Sequence, residues 1–327
     1  GQCGASPEDT THSSDVVVET MKYDNMRPLS EIKVETASLG FAHTLVIEKS
    51  TKRLFAFGDN RNGQATGQKS MNDSLSSSSS FVDTPTTPEF LKDRQMSKIA
   101  AGVYHSAVIT ADGSELISFG GDEEPKRWSP PDGARLLHVS CGRKHTVVVD
   151  DKNRVWTCGE NKYGQLGRKT TEKKDLDFTS VESLNDTISN HQKIIGVYCG
   201  WSHTIALVEN TDTNERICYG WGRNDLGQLG TSVRDHVHTP QRIFIGNAVE
   251  RLDCGSESTM AIIDGKVYGC GWNEHGNLST CEQTDSLVLI TAVGAPVVSP
   301  LDYSESRCTS FSIAAGGAHY IAAKTAS

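Results

Sequence analysis

Val139 to Gly167 reads VSCGRKHTVVVDDKNRVWTCGENKYGQLG. Two alternating apolar runs, Thr146 to Val149 and Arg154 to Cys158, carry the signature of strands. The polar tetrad Asp150-Asp151-Lys152-Asn153 joins them, so the unit is a β-hairpin. A Cys-Gly pair and a His precede the hairpin, and a Gly-Gln-Leu-Gly turn closes it.

The same order of parts recurs along the chain, and this self-similarity sets the fold. Copies begin near Ala37, Ile99, Val139, Val197, Leu252 and Ile313. A recurring glycine marks each one: Gly40, Gly102, Gly142, Gly200, Gly255 and Gly316, spaced 40 to 62 residues apart. Helical solenoids repeat every ~33–47 residues with a 3.6-residue apolar pattern, whereas here each interval has room for about four short strands. The reading is an all-β chain forming a single β-propeller over residues 1–327, with six to seven four-stranded blades.

The chain opens on Gly1-Gln2-Cys3-Gly4, which matches the closing turn Gly164-Gln165-Leu166-Gly167. The sixth copy stops after its first strands. The expectation is a split blade, closed by pairing N- and C-terminal segments, whose N-terminal strand precedes Gly1. Residues 68–98 and 168–196 read as long inter-strand connections, the first with a Ser-rich tract and the second with room for a short rim helix.

The pattern CG-x-x-HT, a strand pair, then WG-x-N-x-x-GQLG resembles the repeats of the regulator of chromosome condensation family, over essentially the whole chain. The resemblance implies a propeller platform whose function lies in surfaces grafted onto it. It implies a non-enzymatic protein–protein interaction scaffold. One alternative is a guanine nucleotide exchange factor for a Ran-like small GTPase, in which a propeller face and a β-wedge displace the nucleotide. Another is a cofactor of a tRNA or diphthamide modification complex. A monomeric propeller in the cytoplasm or nucleus, with a protein partner such as a small GTPase, is expected.

Charge and chemistry narrow these classes. The formal net charge is −9, which argues against direct nucleic-acid binding through clustered Lys and Arg. No apolar run approaches the ~18–20 residues of a membrane-spanning helix. The nine cysteines include three at one repeat position, Cys141, Cys199 and Cys254. Thiols at one repeat position form a ring rather than disulfide pairs, which suits a reducing compartment. No Cys/His spacing suggests a metal, since His236 and His238 lack a completing ligand set, and no cofactor motif stands out.

His43, His105, His145, His203 and His319 each stand three residues after the repeat glycine. A catalytic histidine needs a unique neighbourhood, so several copies around a ring point to a repeated structural hydrogen bond. Losing such a bond would cost roughly 1–3 kcal/mol per site.

The second repeat departs from the rest. Where others place the closing turn, it has Gly120 to Pro131. Asp122, Glu123, Glu124, Lys126, Arg127 and Trp128 read as a charged, Pro-bounded loop around one tryptophan. Such a loop suits an interface anchor, with the alternative that Trp128 tucks against its own blade.

Overall fold

A computed structural model describes residues 32–68, 80–121, 123–170, 172–243, 249–273, 278, 284–289, 310–315 and 320–325. The five complete repeats each fold into an antiparallel meander of four strands that pair with their sequence neighbours, with the second strand buried along nearly its whole length. The first blade is β1 (Val34–Leu39), β2 (His43–Glu48), β3 (Leu54–Asp59) and β4 (Phe81–Thr86). The second is β5 (Met96–Ala101), β6 (His105–Thr110), β7 (Leu116–Gly120) and β8 (Glu123–Trp128). The third is β9 (Leu136–Cys141), β10 (His145–Asp150), β11 (Val155–Glu160) and β12 (Lys174–Ser180). The fourth is β13 (Gln192–Cys199), β14 (His203–Asn210), β15 (Arg216–Gly222) and β16 (Val237–Ile243). The fifth is β17 (Val249–Cys254), β18 (Ser258–Ile263), β19 (Lys266–Gly271) and β20 (Thr284–Leu289). Two further strands, β21 (Ser310–Ala315) and β22 (Tyr320–Thr325), form a two-stranded sheet.

The chain is therefore an all-β propeller with four-stranded blades. Five complete blades stand among the described residues, in place of the six to seven expected, and β21–β22 follows them. The expected closing partner of that last sheet, and with it Gly316 and His319, lies outside the described residues. So does the Ser-rich tract up to Ser79.

The hairpin spanning Thr146 to Cys158 is β10–β11, with Thr146 opposite Cys158 and Val149 opposite Val155. Asn153 closes its turn at φ 65°, donating its backbone N–H to the Asp150 carbonyl at 3.1 Å. First strands of successive blades contact one another, β1 with β5, β5 with β9, β9 with β13, β13 with β17 and β17 with β21, so they line the hub. The core fills the spaces between sheets. Leu45, Ile47 and Leu54 of the first blade pack on Met96, Ile117 and Phe119 of the second. A larger cluster joins blades three, four and five around Trp221, which is fully buried.

Outer strands occupy segments that read as connections. Residues 68–98 hold β4 and a 3-10 turn at Glu89–Leu91, while residues 168–196 hold β12 and the short helix α1 (Glu182–Asn185). The Gly120–Pro131 segment is likewise not a loop. Gly120 and Gly121, at φ 93° and 70°, reverse the chain at once, and β8 runs back along β7 with Trp128 opposite Leu116. As an edge strand it tolerates Pro125 and its charges, which obscured it in the sequence.

Candidate partner-binding groove

The repeated Gly-x-x-His unit forms a latch at each junction between blades. His43 Nε2 lies 2.8 Å from Ser106 Oγ, His105 Nε2 2.8 Å from Thr146 Oγ1, His145 Nε2 3.0 Å from Thr204 Oγ1, and His203 Nε2 3.1 Å from Thr259 Oγ1. The glycine that starts each latch abuts the next blade's backbone. A Cβ on Gly102 would stand 2.5 Å from the Gly142 carbonyl oxygen, and one on Gly142 2.6 Å from that of Gly200. Only glycine permits that approach. Burial holds these imidazoles neutral, with pKa lowered to about 4 for His43 and His105 and about 3 for His145 and His203. A neutral ring bonded through Nε2 to the next blade is a fastener, not a proton shuttle.

A second device is the closing turn, which plugs the next junction. Its first Asn folds the turn on itself: Asn60, Asn161 and Asn224 Oδ1 accept the backbone N–H of Ala65, Leu166 and Leu229 at 2.9–3.0 Å. The Gln side chain folds back too, Gln165 Oε1 accepting from Tyr163 N at 2.9 Å. Gln64, Gln165 and Gln228 are fully buried. Their carbonyl oxygens accept from the following blade. Ser106 donates to Gln64 at 2.7 Å, and Thr259 to Gln228 at 2.7 Å. Gln165 accepts from Thr204 at 3.4 Å and from Trp221 Nε1 at 2.9 Å.

The junction between blades two and three has the latch but not the plug, because β7 turns straight into β8. What remains is a groove of about 490 Å³. That size lies in the range of roughly 300–1,000 Å³ common to binding pockets. Its inner end is His105, Thr146 and Cys158, its floor includes Phe119, and its outer wall is formed by Trp128, Leu176 and Phe178. Lys126, Arg127, Lys144 and Lys174 line it against the acidic Glu124 and Asp177. The groove thus carries an excess of positive charge on a chain whose net charge is −9.

Of the residues singled out from the sequence, Glu124, Lys126, Arg127 and Trp128 line this groove together. Asp122 lies outside the described residues, and Glu123 opens β8. Trp128 is not a free loop anchor. It stacks on Phe178 at 4.6 Å between ring centroids and packs at 5.4 Å against Trp156. Its ring contacts cross a blade boundary onto blade three, which neither the free-anchor reading nor the own-blade reading anticipated. Leu176, Phe178, Lys144 and Lys174 were missed. Their signal was the alternation Leu176-Asp177-Phe178 within a stretch read as a connection.

The expected chemistry of the other residues can be placed. Cys141, Cys158, Cys199, Cys218, Cys254 and Cys270 are free thiols, and burial pushes the pKa of Cys158, Cys199, Cys218 and Cys270 up to about 12. No group of three or more potential metal ligands occurs among the described residues, and His236 instead packs edge-on against Tyr163. No helix among the described residues is long and apolar enough to cross a membrane.

Comparison with known proteins places the repeats. Profiles of the regulator of chromosome condensation (RCC1) repeat match residues 152–207 and 217–262, and residues 137–165. The chain is 28% identical over 276 residues to the ultraviolet-B receptor UVR8 of Arabidopsis thaliana, covering 80% of this chain and 58% of the receptor. It is 28% identical over 212 residues to the serine/threonine-protein kinase Nek9 of Xenopus laevis, covering 58% of this chain and 21% of the kinase. It thus spans well under two thirds of either relative. Among solved structures, Prp20p of Saccharomyces cerevisiae superposes with a TM-score of 0.64 at 21% identity, covering 91% of this chain and 71% of that one. A likeness at this identity shows the fold.

Proposed function

This chain belongs to the RCC1 repeat family of β-propellers, and on that premise we propose that it is a non-enzymatic protein-interaction scaffold whose partner enters the groove between blades two and three. The observation that carries this reading is the groove itself: at this junction the chain omits the plug found at its neighbours, leaving an aromatic and cationic cleft. Mixed apolar and cationic clefts suit protein segments. The histidines and thiols at the groove's inner end are held neutral by burial and serve the blade junction, as His105 does on Thr146, which supports a binding role for the groove.

The test is site-specific photocross-linking of the full chain. A photoreactive residue would replace Leu176, which is 44% exposed on the groove wall, or Val233, 57% exposed on the fourth blade. A discrete protein adduct at Leu176 and not at Val233 is expected. No adduct at either position, or the same adducts at both, would sink the reading.

A second reading is guanine nucleotide exchange on a small GTPase. Its support is the likeness to Prp20p, whose structure was described together with its binding to Gsp1p and histones. Release of a fluorescent GDP analogue from a panel of small GTPases tests it. The scaffold reading expects unchanged release; acceleration for one GTPase would establish exchange instead.

A further inference from the structure

We propose that the seat left by the absent closing turn of the second blade takes a turn-forming segment of a partner protein, with an apolar side chain inserted between the blades and acidic residues at its flanks. This rests on the scaffold reading and specifies the ligand. Three neighbouring junctions define what the seat is built to hold. At each, a buried carbonyl of a Gln accepts from the hydroxyl that also meets the previous blade's histidine: Ser106 on Gln64, Thr204 on Gln165, Thr259 on Gln228. A third-strand side chain can add a second donor to the same oxygen, as Trp221 Nε1 does on Gln165 at 2.9 Å and Cys270 Sγ does on Gln228 at 3.5 Å.

The second-to-third junction presents the same two donors without that carbonyl. Thr146, at 2% exposure, occupies the hydroxyl position and is bonded to His105. Cys158 occupies the third-strand position, opposite Thr146 in the β10–β11 ladder as Trp221 is opposite Thr204 and Cys270 opposite Thr259. Burial keeps Cys158 a thiol, so its S–H remains a donor. Both line the groove. Next to the carbonyl, the plugs insert Ala65, Leu166 or Leu229, each fully buried. A ligand that copies them supplies one main-chain carbonyl and one apolar side chain.

Charge selects the flanks. Lys126, Arg127, Lys144 and Lys174 outnumber Glu124 and Asp177 along the groove. Complementary charge steers encounter and suppresses wrong partners, and it weakens with salt. The turn itself is organised by its own Asn and Gln hydrogen bonds, so it carries its shape with it and loses less freedom on docking.

The probe is a fluorescent peptide bearing this chain's own third closing turn, Asn161 to Gly167, with two glutamates added at each end. Anisotropy against the full-length chain should show saturable binding that weakens with added salt. Leu166→Asp in the peptide should lower affinity at least about tenfold. Cys158→Glu in the protein should set a carboxylate where the ligand's carbonyl oxygen docks, replacing a donor with a like charge, and lower affinity similarly. Lys174→Glu, on the exposed rim, provides a variant that leaves the core alone and should weaken binding several-fold at low salt.

No saturable binding, equal binding by the Leu166→Asp peptide, or undiminished binding by folded Cys158→Glu would each overturn the proposal. An intramolecular cross-link from position 176 to the chain's own residues 1–31 would also overturn it, by identifying an internal occupant. The partner adduct expected at position 176 separates this proposal from the scaffold reading. If that adduct persists in Cys158→Glu while the peptide fails to bind the parent, the scaffold stands and the seat does not.

Discussion

Lowering the pH from 7.5 to 5 should loosen the hub, and the latch histidines set the size of the effect. His43, His145 and His203 are almost fully buried, with pKa lowered to about 4, 3 and 3. In an unfolded chain the same groups titrate near the ordinary ~6.5. The unfolded state therefore binds more protons below pH 6.5, and stability falls as pH falls through that window toward 4. At pH 5 an unfolded histidine is stabilised by about 2 kcal/mol that the folded one cannot share. Three such groups give up to about 6 kcal/mol, comparable with the whole stability of an ordinary domain, about 5–15 kcal/mol. Glu257 works in the opposite direction, because burial raises its pKa, but it is a single group. Asp112 and Asp132 have lowered pKa values and begin to contribute only below about 4. The assay is urea denaturation at half-unit steps from pH 7.5 to 5, with His145→Gln beside the parent. The parent should lose stability steeply below pH 6.5, and the variant's curve should be shallower by about 1.4 kcal/mol per pH unit at its lower end. Flat stability between pH 7 and 5, or a variant with the parental slope, would refute the reasoning.

Two substitutions test the packing at the junctions. Gly142→Ala would set a Cβ 2.1 Å from His145 Cε1 and 2.6 Å from the Gly200 carbonyl, so it should destabilise by about 1–3 kcal/mol or more in thermal melts. Gly133→Ala, at φ 70° with nothing within 4 Å, should cost only the ~1–2 kcal/mol of its left-handed conformation. Equal losses for the two would mean that interblade contact is not the constraint. Trp221→Phe keeps most of a fully buried ring but removes the bond from Nε1 to the Gln165 carbonyl, and should cost about 1–3 kcal/mol in denaturant midpoints. An unchanged midpoint would show that this bond holds nothing.

The inner hairpins were legible because their strands are short apolar runs bounded by polar turns, as in Thr146 to Val149 and Arg154 to Cys158. The glycine and histidine positions were legible because every junction imposes the same close approach. The outer strands were not. β8 reads Glu-Glu-Pro-Lys-Arg-Trp and β12 reads Lys-Asp-Leu-Asp-Phe-Thr-Ser, and an edge strand that faces solvent on most of its surface has little apolar pattern to show. Five complete blades stand among the described residues against six to seven expected, since repeat signals mark where a blade starts and not whether four strands complete it. The groove was half legible. Gly120 to Pro131, standing where the other repeats place the closing turn, showed that the turn was missing, but not that blade three would supply the opposite wall.

The missing plug raises a question of energetics: what holds blades two and three together without it. The hub end keeps its latch, with His105 on Thr146 and the backbone N–H of Val103 donating to the Gly142 carbonyl at 3.2 Å. The rim end adds an aromatic cluster, in which Trp128 meets Phe178 and Trp156, while Trp156 Nε1 donates to Asp150 at 2.9 Å. Aromatic pairs of this kind contribute about 0.5–1.5 kcal/mol each beyond their burial, roughly what a lost carbonyl bond and its turn would have given. Support has moved from the middle of the junction to its two ends, and that is what leaves a cleft between them. Trp128→Ala should then release the rim alone. Amide hydrogen exchange in β8 and β12 should quicken at least about tenfold while Val103 N–H keeps its protection, because exchange reports openings segment by segment. If Val103 loses protection in step with β8, the junction is one cooperative unit and the two-ended account is wrong.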